Sequence, residues 1–190
     1  LLELRVLLLE ELAEPSLLLA DRLAFNKRLA RLCSEVGDDL NAILHWQVVF
    51  DLGDAGDDAF TVLTDLLRKA HDWAQLKTLY ETAILRGRDP IKVARLRFEL
   101  GGLLSVAYHD VAGAEDQHRR AISLDPGNAA AMEALARLYR EKGRFEELQA
   151  QLMRMAETTN DEDKRAALVV DRANVLWTKL LRLDEAVQIT

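Results

Sequence analysis

Residues 114–152 read AEDQHRRAISLDPGNAAAMEALARLYREKGRFEELQAQL. A helical segment runs into Leu124-Asp125-Pro126-Gly127-Asn128, where proline and glycine stop it and asparagine can cap the next helix. That second helix is alanine-rich, with apolar residues at Met132, Leu135, Ala136 and Tyr139, the 3,4-spacing of one helical face. The tight Lys142-Gly143-Arg144 turn then opens a third helix. Connections this short force consecutive helices antiparallel. The rest of the chain is a looser copy of this pattern.

Working towards the N-terminus, Val111–Leu124 is preceded by a His109-Asp110 turn and by a helix over Ile91–Tyr108, interrupted in propensity by Gly101-Gly102. Asp89-Pro90 is a helix start, an N-cap residue followed by proline where no N–H is required. Trp73, Leu76, Leu79, Tyr80 and Ala83 share a face up to Gly87, after a His71-Asp72 turn. Phe60, Leu63, Leu66 and Leu67 mark the helix before it, and Leu40–Leu52 is capped by Asp38 or Asp39. Leu17–Val36 carries Leu19, Leu23, Leu29, Leu32 and Cys33 and ends at Gly37. Leu1–Glu14, with Leu1, Leu4, Leu8 and Leu12, ends at Pro15. Beyond the opening stretch, Asn160-Asp161 caps a helix through Arg165–Leu181, and Asp184 starts a last one. The pattern predicts eleven helices and no strands.

Composition agrees with this. The chain has 190 residues, 49% hydrophobic and 30% charged, with nine Gly and three Pro, a soluble, helix-forming make-up. The net charge of −7 and the lack of any block of like charge argue against nucleic-acid binding, which draws its affinity from clustered Lys and Arg. The single cysteine excludes an internal disulfide. Leu1–Leu12 is greasy but broken by Glu3, Arg5, Glu10 and Glu11, so it reads neither as a signal peptide nor as a membrane span. No address signal is legible, and the cytoplasm is the default compartment. The absent initiator Met and the helical ends read as a piece of a longer protein. Eighteen Arg against seven Lys suggest GC-rich coding and a bacterial source.

Shifted by 72 residues, the sequence lies on itself. Leu4, Leu76 and Leu148 coincide, as do Leu32, Leu104 and Leu176, and Ala42, Ala114 and Ala186. Asp38 meets Asp110, Leu63 meets Leu135, Arg68 meets Arg140, and Trp73 meets Phe145. Each period holds two helix pairs. A pair this short cannot enclose its own apolar face, so successive pairs must stack.

At these residues the chain resembles the tetratricopeptide repeat (TPR) family. Met132, Leu135, Ala136 and Tyr139 match the family's first helix. Ala114, Ala121 and Pro126 match the second, with His118 at its aromatic position, and Leu100-Gly101 supplies the first-helix Leu-Gly. The likeness is strongest over 95–158 and extends over nearly the whole chain. Leu76 and Leu148 stand where the family has a small residue, which predicts alternating tight and loose pairs. The resemblance implies an all-α, right-handed superhelical α-solenoid of stacked antiparallel pairs, one segment over 1–190. Its parts would be a trailing helix at 1–14, repeats at 17–54, 57–88, 90–126 and 128–158, and a truncated repeat at 161–190.

No chemistry is legible. The four histidines form no metal or catalytic pattern; His118 reads as a core histidine, His71 and His109 as turn residues, and His45 has no ligand partner at useful spacing. Cys33 reads as a packing residue. Asp51–Asp58 superficially resembles a calcium loop but has Val62 where a closing Glu is needed. Gly101-Gly102 lies within a helix, not between strand and helix, so it is no phosphate loop. No metal, no cofactor and no enzymatic activity are expected.

What remains is surface. By the resemblance, first helices line a concave groove, and their outward positions are Lys27, Arg31, Asp58, Asp65, Arg68, Arg95, Phe98, Glu133, Arg137, Arg140 and Asp171. Cations outnumber anions six to four there, against 25 to 32 in the chain, which would favour an acidic or C-terminal peptide; a solvated mixed-charge face is the plainer alternative. Ala30, Asp65, Gly102 and Arg137 hold the inner positions where chaperone-binding members clamp a terminal carboxylate, so that specialisation is not expected. The reading is a non-enzymatic protein-interaction scaffold. Its alternatives are an architectural or oligomerising spacer and an RNA-processing half-repeat protein, the latter opposed by the acidic charge. Membrane insertion is not expected; uncovered apolar ends predict end-to-end self-association.

Overall fold

The computed structural model describes residues 2–12, 18–53 and 58–189, with only the backbone described for Leu2, Glu3, Arg5, Glu11 and Leu12. The helix stop at Pro15, the contributions of Leu1 and Leu12 to the first stripe, and residues 54–57 of the Asp51–Asp58 loop therefore lie outside the described residues. The described residues form eleven helices and no strand: α1 Leu2–Leu12, α2 Leu19–Glu35, α3 Asp39–Asp51, α4 Asp58–Lys69, α5 Trp73–Arg86, α6 Pro90–Ala107, α7 Val111–Leu124, α8 Ala129–Glu141, α9 Phe145–Thr158, α10 Glu162–Thr178 and α11 Leu183–Gln188. The chain divides into two compact units, Leu1–Leu79 and Tyr80–Thr190, with the division inside α5.

Five of the helix starts have a cap visible in the sequence. Asp38, Asp110, Asn128 and Asp161 accept hydrogen bonds from the backbone N–H three residues on, at Asn41, Gly113, Ala131 and Lys164. Asp89 accepts from Ile91 N–H at 2.9 Å, ahead of Pro90 in the first turn. Each cap satisfies one of the donors that a helix N-terminus leaves open. The last helix begins at Leu183, one residue before the expected Asp184, with Arg182 in the cap position. Gly101-Gly102 does not break α6, which runs unbroken through both.

The turns inside the pairs share one device. Gly37, His71, His109, Gly143 and Leu181 all have positive φ, between 53° and 76°. They fall between α2 and α3, α4 and α5, α6 and α7, α8 and α9, and α10 and α11, spaced by 34, 38, 34 and 38 residues. The alternation follows helix length. α2, α6 and α10 have 17, 18 and 17 residues, whereas α4 and α8 have 12 and 13. One extra helical turn per long pair accounts for the difference. Starts of corresponding helices lie 71 or 72 residues apart, from α2 and α6 through to α7 and α11.

In the first unit α1 packs on α2, α2 on α3 and α3 on α4. Leu29, Ala30, Cys33, Ala42, Trp46, Val49, Leu63 and Leu67 are buried there. One polar pair is enclosed with them: His45 Nδ1 lies 3.0 Å from Asn26 Oδ1, both residues buried. This explains a histidine that the sequence leaves without a partner.

In the second unit α6 packs on α7, α7 on α8, α8 on α9, α9 on α10 and α10 on α11. The larger of two core clusters joins Ala94, Ala121, Ile122, Met132, Leu135, Ala136, Tyr139, Leu148, Leu152 and Val175, contributed by five helices, and a smaller one joins Ala173, Leu176 and Ala186. Ala42 and Ala114 are wholly buried and Ala186 nearly so; a methyl side chain lets neighbouring backbones approach closely. The long pairs α2–α3 and α6–α7 share more extensive contact than the short pair α8–α9.

Candidate partner-binding face

In the second unit the first helices α6, α8 and α10 carry the expected site residues. Arg95, Phe98 and Gly102 recur at i, i+3 and i+7 along one face of α6, and Glu133, Arg137 and Arg140 share a face of α8 at i, i+4 and i+7. Arg95, Glu133, Arg137 and Arg140 are exposed. Arg140 donates to Asp171 Oδ2 at 2.5 Å, an exposed ion pair that reaches from α8 to α10 across the face. The guanidinium groups of Arg95 and Arg137 have no ion pair or hydrogen bond among the described residues.

Phe98 differs from the outward-facing expectation. It is partly buried against the core, and its ring centroid is 5.7 Å from that of His118. His118 itself is 3% exposed, as a core histidine. Among the described residues its Nδ1 has no hydrogen-bond partner. Burial first, and the nearby Arg137 cation second, push its pKa down from 6.5 to about 4, because both disfavour a second positive charge. At neutral pH the imidazole is an uncharged packing surface.

The two adjacent glycines do different work. A Cβ on Gly101 would come 2.6 Å from His118 Cε1, whereas one on Gly102 would meet nothing within 4 Å. Gly101 therefore permits close approach of α6 and α7, and half-buried Gly102 leaves open space one helical turn from Phe98.

In the first unit Arg31, Asp65 and Arg68 are exposed and Lys27 is half-buried; Asp58 is exposed at the start of α4. Ala30, expected at an inner lining position, is instead fully buried. Beside them Lys69 of α4 pairs with Asp39 of α3 at 2.6 Å.

A polar network that the sequence does not show joins α7, α8 and the start of α9. Glu115 of α7 accepts from Arg144 at 2.5 Å and pairs with Arg119 at 2.9 Å. Arg119 donates to the Tyr139 hydroxyl at 2.9 and 3.1 Å. Tyr139 in turn donates to Glu115. Arg144 covers the Tyr139 ring at 4.8 Å and binds Glu147 at 2.7 Å. Burial foremost holds the Tyr139 hydroxyl above the usual phenol range. The hydrogen bond from Arg144 holds the Glu147 carboxyl below the usual carboxylate range. The Glu115–Arg119 and Arg144–Glu147 spacings are visible in sequence as helix-surface pairs; the 29-residue reach from Glu115 to Arg144 is not.

Among the described residues no three His, Cys, Asp or Glu side chains gather as a metal would require, and no helix is long and apolar enough to cross a membrane.

Stacked antiparallel hairpins with alanines at the close contacts define an all-α helical-repeat protein. Comparison with solved structures makes this particular: the chain has the TPR fold. It matches MamA with a TM-score of 0.59 at 15% identity, covering 90% of this chain and 88% of that one. It matches YrrB, described as a TPR protein with an unusual peptide-binding site, with a TM-score of 0.54 at 18% identity over 96% and 92% of the two chains. BtubC from P. vanneervenii aligns at a TM-score of 0.50 and 15% identity, over 92% and 72%. No family model matches the sequence, and no curated protein matches it.

Proposed function

We propose that the chain is a non-enzymatic interaction scaffold whose second unit binds an acidic peptide segment of a partner protein on the α6–α8–α10 face. One observation carries this reading. On that face Arg140 is neutralised by Asp171, while Arg95 and Arg137 are exposed and without a described partner, so a local positive surplus remains in a chain of net charge −7. The open space at Gly102, one helical turn from half-buried Phe98, leaves room for an apolar side chain of the same peptide. The TPR fold shared with the peptide-binding YrrB supports the class of activity. Glu133 on the same face sets register by repelling one position of an acidic partner.

The test is fluorescence anisotropy with a labelled acidic peptide of alternating Leu and Glu. Charge reversal by Arg95→Glu with Arg137→Glu should weaken binding at least tenfold, and Arg140→Glu should do less because its charge is already paired. Equal affinity of the double variant and the wild type would rule out this face.

A further inference from the structure

Between α7 and α9 the surface of the second unit opens into a cleft of about 460 Å³, within the range of small-ligand and side-chain pockets. None of the first-helix face residues lines it. Its base is the buried Ile122 and Leu135; Arg119 stands on the α7 side and Glu147 and Arg154 on the α9 side.

The charges of the cleft do not cancel. Arg119 is held by Glu115 and the Tyr139 hydroxyl, and Glu147 by Arg144. Arg154 is exposed, and its guanidinium has no ion pair or hydrogen bond among the described residues. One cation is therefore left over an apolar base, in a rim whose remaining charges are already paired. A phosphate dianion fits this poorly, because Glu147 on the rim and Glu115 behind Arg119 would repel a second negative charge. A single carboxylate on a short aliphatic stem fits both parts: the stem covers Ile122 and Leu135, and the carboxylate meets the planar donor fork of Arg154.

We propose that this cleft is a second binding site, taking a Glu or Asp side chain from a partner peptide, independently of the first-helix face. The test uses the isotopically labelled full chain and the probe acetyl-Leu-Glu-Leu-Glu-Leu-amide, followed by amide chemical shifts. The expected result is a saturable shift at Ser123, Ala150 and Gln151. It should weaken about tenfold or more with the Leu-Gln analogue and with Arg154→Glu, and it should persist in Arg95→Glu/Arg137→Glu. Arg154 has no side-chain partner to lose among the described residues, so its reversal leaves the fold intact; the unperturbed remainder of the spectrum checks this. No shift at these three amides, equal binding of the Leu-Gln analogue, or indifference to Arg154→Glu would each overturn the cleft site. Shifts confined to α6 and α8 would do so while upholding the first-helix face.

Discussion

His118 and Gly101 face one another so closely that the glycine's missing Cβ is what lets α6 and α7 meet: it would sit 2.6 Å from the imidazole Cε1. Gly101→Ala should destabilise the second unit by about 1–3 kcal/mol through overpacking, despite the better helix propensity of alanine. Gly102→Ala meets nothing within 4 Å and should stabilise by roughly 0.5–1 kcal/mol. Urea denaturation of the two variants checks the pair, and equal effects of the same sign would refute the assignment.

The same histidine makes stability depend on pH. Its pKa is about 4 in the folded chain against 6.5 when unfolded, so between those values the unfolded state binds the extra proton and stability rises with pH. On acidification from neutrality to pH 4 the contribution should fall by on the order of 2–3 kcal/mol. Carboxylates also titrate at the low end. The informative quantity is therefore the difference between wild type and His118→Phe, which should show a flatter pH profile in urea melts.

Leu181 occupies a left-handed turn position, φ 57°, where Gly37 and Gly143 stand in corresponding turns. A side chain there costs about 1–2 kcal/mol, and at 83% exposure Leu181 recovers little by burial. Leu181→Gly should raise stability by roughly 0.5–1 kcal/mol after allowing for the greater freedom of glycine in the unfolded chain. A lower melting temperature would contradict this.

The Arg140–Asp171 pair is short, yet its side chains are 51% and 42% exposed. A double-mutant cycle should return a coupling of about 0–1 kcal/mol. Its role is to occupy Arg140 rather than to hold α8 on α10; a coupling above about 2 kcal/mol would reverse that view.

Packing supplies the holding. Leu135→Ala should cost about 2–5 kcal/mol and Ala114→Leu about 1–3 kcal/mol, since both sites are buried in the stack. Two neutral results in denaturant melts would be incompatible with a stack sealed at these positions.

Much of the fold was legible in the sequence because its signals are local. Asp38, Asp89, Asn128 and Asp161 announce helix starts, and Leu135, Ala136 and Tyr139 announce a buried face within a few residues of one another. Leu181 shows where that legibility stops: nothing in its own chemistry marks a left-handed turn, and only its place 72 residues after His109 and 144 after Gly37 does. The candidate face was half legible. Helical spacing put Arg137 and Arg140 on one side of α8, but the Arg140–Asp171 pairing spans 31 residues. The inward lean of Phe98 depends on a histidine from another helix. Such relationships are fixed by how hairpins meet, which no local pattern encodes.

The alternation of 34- and 38-residue spacings has a consequence for how such a chain can change length. Long and short hairpins alternate along the described residues, so removing one would set like against like, a junction for which this sequence has no rehearsed interface. Gain or loss should come in quanta of two hairpins, as whole 72-residue blocks, leaving every surviving seam with its original kind of neighbour.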